Sequence, residues 1–258
     1  MGGHIGMGAS ELKTAATQPL CGKIALVSGA ARGIGAAFVG ALRAAGATVT
    51  GFDIRPGADA VADTSDPAQV RALVDDVVDT HGGVDIAVAN AGVTRLTSPL
   101  DPWEQAVDDF DVQIGTNLRG VFLLGRAVAP IMVAGGGGDI VNISTDHLLR
   151  APGVPIGGGP RMDVYDASKY GIRGLTESWA QSLRPHRVRV NELCMGATDG
   201  EMLREFLGDR ATPDVTATWI DPAAIARVLV ELLAEGADGR TGTQIPLWVG
   251  YPIALPPS

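Results

Sequence analysis

Positive charge is scarce in this 258-residue chain: 20 Lys and Arg stand against 29 Asp and Glu, a formal net charge of −9 with a sequence pI near 4.8. Nothing resembles the basic stripe that neutralises nucleic-acid phosphates, so no nucleic-acid partner is expected. Cysteine is nearly missing. Cys21 and Cys194 lie far apart and match no metal-ligand spacing, which implies reduced, structural thiols in a cytoplasmic protein rather than a disulfide. No carboxylate and histidine cluster resembles a metal site, so no metal is expected. No apolar run approaches the roughly 18 residues of a membrane span, and the opening MGGHIGMGASELKTAATQP lacks the apolar block of a secretory signal. No membrane partner is expected either. Aromatics make up only 5% of the chain.

What is present in quantity is small or apolar: 46% of residues are hydrophobic and 35 are glycine, a composition suited to close helix-on-sheet packing. The length fits one large α/β domain, expected over residues 21–258 behind a flexible tail of residues 1–20. KIALVSG (23–29) is a short apolar run ending in glycine, and AARGIGAAFVGALRAAG after it has helical periodicity up to Gly46. ATVTGFDI (47–54) reads as a second buried strand. Asp66, Pro67 and Gln69 form an N-cap, a first helical position and a reciprocal capping partner for the next helix. Strands follow at 84–92, 138–145, in RVRVNELC and in TQIPLWV, separated by helices over about 103–134, over about 165–183 and from Asp221-Pro222 onward. Apolar strands alternating with helices imply a parallel sheet covered on both faces, a doubly wound Rossmann-type α/β fold.

SGAARGIG places Gly29, Gly33 and Gly35 between a strand and a helix. Glycines there let the backbone approach a diphosphate, and the helix N-terminus offers free N–H groups to it. A lone glycine cluster is weak evidence, but Asp53 closes the second strand about 20 residues on, where a carboxylate accepts both ribose hydroxyls of an adenosine and repels a 2′-phosphate. That favours NAD over NADP. Arg32 in the turn and Arg55 beyond the acid weigh the other way. Asp63 either reaches the adenine or is a solvated loop acid.

SGAARGIG with Ile34 at its centre, NAG (Asn90, Ala91, Gly92), NLRG (117–120), Ser144 at a strand end and YDASK (165–169) occur in one order, and together they resemble the short-chain dehydrogenase/reductase family over residues 22 to 250. The resemblance implies a single domain with a seven-stranded parallel sheet, a dinucleotide-binding catalytic unit, a substrate lid over about 196–220 and a homotetramer. It also implies a catalytic set of Asn117, Ser144, Tyr165 and Lys169. Tyr165 would exchange the carbinol proton, Ser144 would hold the substrate oxygen, and Asn117 would anchor a water next to Lys169. A lysine one helical turn from a tyrosine stabilises the phenolate, and lowering a pKa near 10 is what proton transfer near neutral pH requires. Taken alone, the same Tyr165 and Lys169 are also an ordinary exposed i, i+4 pair.

Three departures stand out. Ser144 and Tyr165 are 21 positions apart, a longer gap than the family pattern, filled by a Pro- and Gly-rich loop within HLLRAPGVPIGGGPRM. The usual Pro-Gly pair reads Met195-Gly196, and Gly200 replaces a threonine that ordinarily contacts the nicotinamide, so that contact is either missing or made by Thr198. Met202, Leu203, Phe206 and Leu207 of the lid, with Leu148, Leu149 and Met195, either face an apolar alcohol or make core contacts. His147 either touches substrate or has no role. The expectation is an NAD-dependent oxidoreductase interconverting a secondary alcohol and a ketone on an apolar, cyclic or aromatic, small-molecule substrate. An NADPH-dependent carbonyl reductase and a non-catalytic dinucleotide sensor are the alternatives.

Overall fold

The structure is a computed structural model that describes residues 18–150 and 157–257. In chain order the first half comprises β1 (Ile24–Ser28), α1 (Gly33–Ala44), β2 (Thr48–Asp53), β3 (Ala60–Val61), α2 (Pro67–His81) and β4 (Ile86–Ala89). Then come α3 (Trp103–Gln113), a π-helical segment (Ile114–Arg119), α4 (Gly120–Ala134), β5 (Gly138–Thr145) and α5 (Asp163–Leu183). The chain closes with β6 (Val188–Met195), α6 (Glu201–Leu207), α7 (Pro213–Thr216), α8 (Pro222–Ala234) and β7 (Gln244–Leu247). All strand pairs are parallel and form one seven-stranded sheet in the order β3-β2-β1-β4-β5-β6-β7. The order reverses direction between β1 and β4, which opens a crevice beyond their C-terminal ends.

Side chains alternate across each strand, so the sheet divides two apolar layers. Ala25, Val27, Val141, Ile143, Leu193 and Met195 pack with Phe38 and Leu42 of α1 and Ile225, Leu229 and Leu232 of α8. The opposite faces of the same strands, through Leu26, Ala87, Ile140, Val188 and Val190, meet Val74 of α2, Leu124 and Val128 of α4 and Ile172 of α5. Local signals act as read. The Asp66 carboxylate accepts from the Ala68 and Gln69 amides ahead of α2, and Asp221 caps α8 through the Ala223 amide. Gln69 departs slightly from a reciprocal cap: its Oε1 accepts from the Asp63 amide at 2.9 Å, while its Nε2 donates to Asp66.

Four features differ from the sequence reading. The helix expected over 103–134 is broken by the π-helical turn, whose Gly120 amide bonds the Gly115 carbonyl five residues back. The helix carrying Tyr165 begins at Asp163. β3 is a two-residue strand, too short to leave a pattern. Leu20, assigned to the tail, is buried in the α1/α8 layer and its amide donates to the Ala45 carbonyl, so packing begins before residue 21. Residues 1–17 of that tail, and 151–156 of the long loop, lie outside the described residues. By length and composition the continuous stretch Trp103–Ala134 could cross a membrane, with a mean hydropathy of 1.3 over its most apolar window. Its Val121, Leu124, Val128 and Met132 are instead buried on the sheet.

Leu124 is enclosed in that layer, and Leu124→Ala should lower the unfolding free energy by about 2–5 kcal/mol, read from urea denaturation midpoints.

Candidate active site

The crevice is built by close backbone approach. A Cβ on Gly29 would lie 2.8 Å from the Ala91 Cα, and one on Gly35 only 2.0 Å from the Gly29 carbonyl oxygen, so neither position admits a side chain. Gly29 also has φ +66°, a conformation that glycine adopts readily. The Asn90 side chain clasps the turn, donating to the Ser28 and Gly29 carbonyls at 3.0 and 3.1 Å, while the Asn90 and Ala91 amides donate to Ser28 Oγ at 3.0 Å. Ser28 is a residue the sequence reading missed; its only signal was its place at the end of a strand.

The N-terminus of α1 has no side-chain cap and no acid in its first turn. An anion is what such an end attracts. A carboxylate already faces it: Glu201 Oε2 of α6 lies 3.2 Å from where a Cβ on Gly33 would sit. Ile34 packs its side chain partly into the α1/α8 layer. At the end of β2, Asp53 Oδ2 accepts from the Ala31 amide at 3.1 Å and Oδ1 from the Arg55 amide at 3.0 Å, tying the acid to the glycine turn. Arg32 is held by α6, with Nη1 2.8 Å from Glu205 Oε1. Asp63 turns inward on its own loop, accepting from the Ser65 amide and hydroxyl. The open helix end, the side-chain-free approach and the acid at the end of β2 together fit a nicotinamide dinucleotide.

Lys169, Asn117 and Gly92 meet at one point. A Cβ on Gly92 would lie 3.4 Å from Asn117 Oδ1 and 3.9 Å from Lys169 Nζ. Asn117 sits in the π-helical turn, fully buried. Its Oδ1 accepts from the Val93 amide at 2.8 Å, and its Nδ2 donates to the Val93 carbonyl at 2.9 Å and to Ser168 Oγ at 3.1 Å. That side chain is engaged in locking the loop after β4 to α5. Ser168 in turn donates to the Tyr165 carbonyl at 2.6 Å. Lys169 is 5% exposed and donates to the Ile143 carbonyl at 3.0 Å, with its Nζ 5.6 Å from the centre of the Tyr165 ring. Ser144 stands buried at the end of β5 on the same side.

The electrostatics correct one expectation. Burial raises the Tyr165 phenol above its ordinary value, and the Asp166 and Asp146 charges add to that against the Thr145 hydroxyl. Burial also draws the Lys169 amine down, to about 8, opposed by Glu192 and Cys194. Desolvation is the largest influence on both members of the pair.

On the substrate side the readings divide. His147 Nδ1 is 2.7 Å from Asp166 Oδ1 and its ring stands edge-on to Tyr165 at 5.9 Å. The other Asp166 oxygen accepts from the Gly158 amide, so the pair also grips the far end of the long loop. Met195, expected beside substrate, belongs to the α1/α8 layer because odd positions of β6 face that way. Thr198 is buried and donates to the Gly196 carbonyl at 2.9 Å, which commits its hydroxyl proton. Gly196 runs tight against Asp146 and Val249. Met202 is exposed, Phe206 half-buried and Leu148 buried.

Comparison with known proteins agrees with this geometry. The family model for the short chain dehydrogenases matches residues 23–211. The 3-alpha-(or 20-beta)-hydroxysteroid dehydrogenase of Mycobacterium tuberculosis is 33% identical over 246 residues, covering 87% of each chain. The D-threitol dehydrogenase of Mycolicibacterium smegmatis is 33% identical over 273 residues, 95% of this chain and 98% of its own. Among solved structures, a short-chain type dehydrogenase/reductase from Mycobacterium marinum superposes with a TM-score of 0.77 at 28% identity, covering 91% of this chain and 97% of its own.

Lys169 gives this site a stability signature. Its folded pKa, about 8, lies below the ordinary 10.5, so between those values the unfolded chain binds the proton that the folded one has released, and stability rises with pH. Below pH 8 the buried charge costs on the order of 3 kcal/mol. Lys169→Met should therefore be more stable than wild type at pH 7, with the gain fading above pH 10, measured by urea denaturation at both values.

Proposed function

The chain belongs to the short chain dehydrogenase family, oxidoreductases that act on CH–OH groups with a nicotinamide dinucleotide, and from that premise we propose that it is an NAD-dependent dehydrogenase interconverting a secondary alcohol and a ketone. The observation that carries this reading is the meeting of Asn117, Lys169 and Gly92 beside Tyr165 and Ser144, at the mouth of the crevice that Gly29 and Gly35 open. NAD supplies the hydride acceptor when bound. Gly29, Gly33, Gly35 and the α1 N-terminus hold its diphosphate, and Asn90, Ala91 and Gly92 line the nicotinamide side. Tyr165 takes the carbinol proton, Ser144 holds the substrate oxygen, and Lys169 orders the space between them. Its amine, with a pKa of about 8, is a proton carrier close to neutral pH.

Two features support NAD over NADP. Asp53 presents a carboxylate at the ribose position. The nearest cation in the turn, Arg32, is neutralised by Glu205 rather than free to meet a 2′-phosphate. An apolar, cyclic or aromatic substrate is supported by exposed Met202 and half-buried Phe206 on the lid, and by a relative that acts on hydroxysteroids, although another equally similar relative acts on D-threitol. We place the protein in the cytoplasm as a homotetramer. The assembly is supported by Trp103, Phe110, Phe122 and Tyr170, which expose apolar surface along α3, α4 and α5. A dinucleotide sensor without turnover is favoured only by the raised Tyr165 phenol and the inward Thr198 hydroxyl.

Tyr165→Phe decides between catalyst and sensor: NADH formation from a panel of cyclic and aromatic secondary alcohols should fall by about 10²-fold or more while NADH affinity, titrated by fluorescence, stays within about threefold. Retained turnover removes Tyr165 from the mechanism. For the dinucleotide, Asp53→Ala should narrow the preference for NADH over NADPH by about tenfold, and Glu205→Ala should tighten NADPH binding by freeing Arg32. Weaker NADPH binding in Glu205→Ala contradicts the role given to that ion pair.

A further inference from the structure

β6 is buried along its whole length and carries one acid, Glu192, in the layer that holds Lys169. Even positions of β6 face α5, as Val188 and Val190 show, so Glu192 and Cys194 point to the layer that holds Lys169. Glu192 is completely buried, and neither of its carboxyl oxygens has a hydrogen-bond partner among the described residues. Its neighbour across the ladder is Asn142 on β5, and Ser144, two residues on, pairs with Cys194. Asn142 Oδ1 and Ser144 Oγ are likewise buried without a partner. The Asn142 amide is committed to Thr176, whose hydroxyl donates to the Ile172 carbonyl. One face of two strands thus gathers four orphaned oxygens, the two of the Glu192 carboxyl and those of Asn142 and Ser144 beside it.

An ionised carboxylate with no donor is among the costliest arrangements a protein interior can hold, whereas the neutral acid brings an O–H donor of its own. Its acceptors lie alongside. Burial pushes the Glu192 carboxyl up, against the Ser144 hydroxyl and then the Lys169 and Arg173 charges, with Glu177 adding to the rise. Those three charged residues are the ones α5 turns toward it; Cys194 lies two residues along β6, and Asn142, Ser144 and Gln244 on the flanking strands do not titrate. Ser144 has a single proton. If it points down to a carboxylate, the substrate oxygen loses its donor; if Ser144 accepts from a neutral acid, the proton is free to face the crevice.

We infer that Glu192 is a positioning residue for Ser144: as the neutral acid it donates its carboxyl proton to Ser144 Oγ from beneath the site and leaves the Ser144 proton for the substrate oxygen. The inference rests on the dehydrogenase reading above. Glu192→Gln keeps a donor at that place and should retain kcat within about threefold, while Glu192→Met, similar in volume but without a donor, should lose about tenfold or more in kcat with KM changed less than about threefold. NADH titration confirms that each variant is folded. Infrared difference spectra of wild type against Glu192→Gln at pH 7 should show one protonated-carboxyl carbonyl band belonging to Glu192, a readout that needs no turnover. Absence of that band, equal losses in the two variants, or full activity in Glu192→Met overturns the inference. A wild-type protein that binds NADH and shows the band yet oxidises no alcohol contradicts the dehydrogenase reading instead.

Discussion

The structure depends on one close approach: the Gly29 turn at the end of β1 lies against Ala91 at the end of β4, with no room for a Cβ between them. That contact occurs where the strand order reverses, so the space beyond it is a crevice bounded by backbone rather than by side chains. Backbone amides, the open end of α1 and the Asp53 carboxylate then become the features a ligand meets. Asn90 and Ser28 fasten the two loops together with four hydrogen bonds, which fixes the crevice before any ligand arrives.

The catalytic side is assembled on a second constraint, the π-helical turn. A regular helix from Trp103 to Ala134 would carry its residues past α5 at a steady 100° each; the wide turn re-aims the segment so that Asn117 reaches both Val93 and Ser168. Through Ser168 the same side chain touches the first turns of α5, and Lys169 comes to rest beside Gly92. Loop, π turn and helix are therefore one hydrogen-bonded unit.

Much of this was legible in the residues. Alternating apolar strands and amphipathic helices, with Asp66 and Asp221 as caps, place most elements, and five short motifs in order point to the crevice and to Tyr165 and Lys169. What escaped had physical reasons. β3 pairs through two residues only, and a π turn has no composition of its own. Of the two readings left for Met195, the sheet's alternation selects the core contact, because odd positions of β6 face the α1/α8 layer. The pKa expectation for Tyr165 failed because proximity in a helix is visible in sequence while burial is not. Glu192 was present in RVRVNELC, but an acid in a strand says nothing until its neighbours across the ladder are known.

These constraints leave the chemistry to a few side chains beside the crevice, and the central claim is direct hydride transfer between substrate and dinucleotide there. It is tested most directly by supplying secondary alcohols deuterated at the carbinol carbon with NAD and weighing the dinucleotide product by mass spectrometry. The account predicts reduced NAD carrying one deuterium per molecule formed. Reduced NAD without deuterium, or no reduced NAD from any alcohol in a cyclic and aromatic panel, would contradict it.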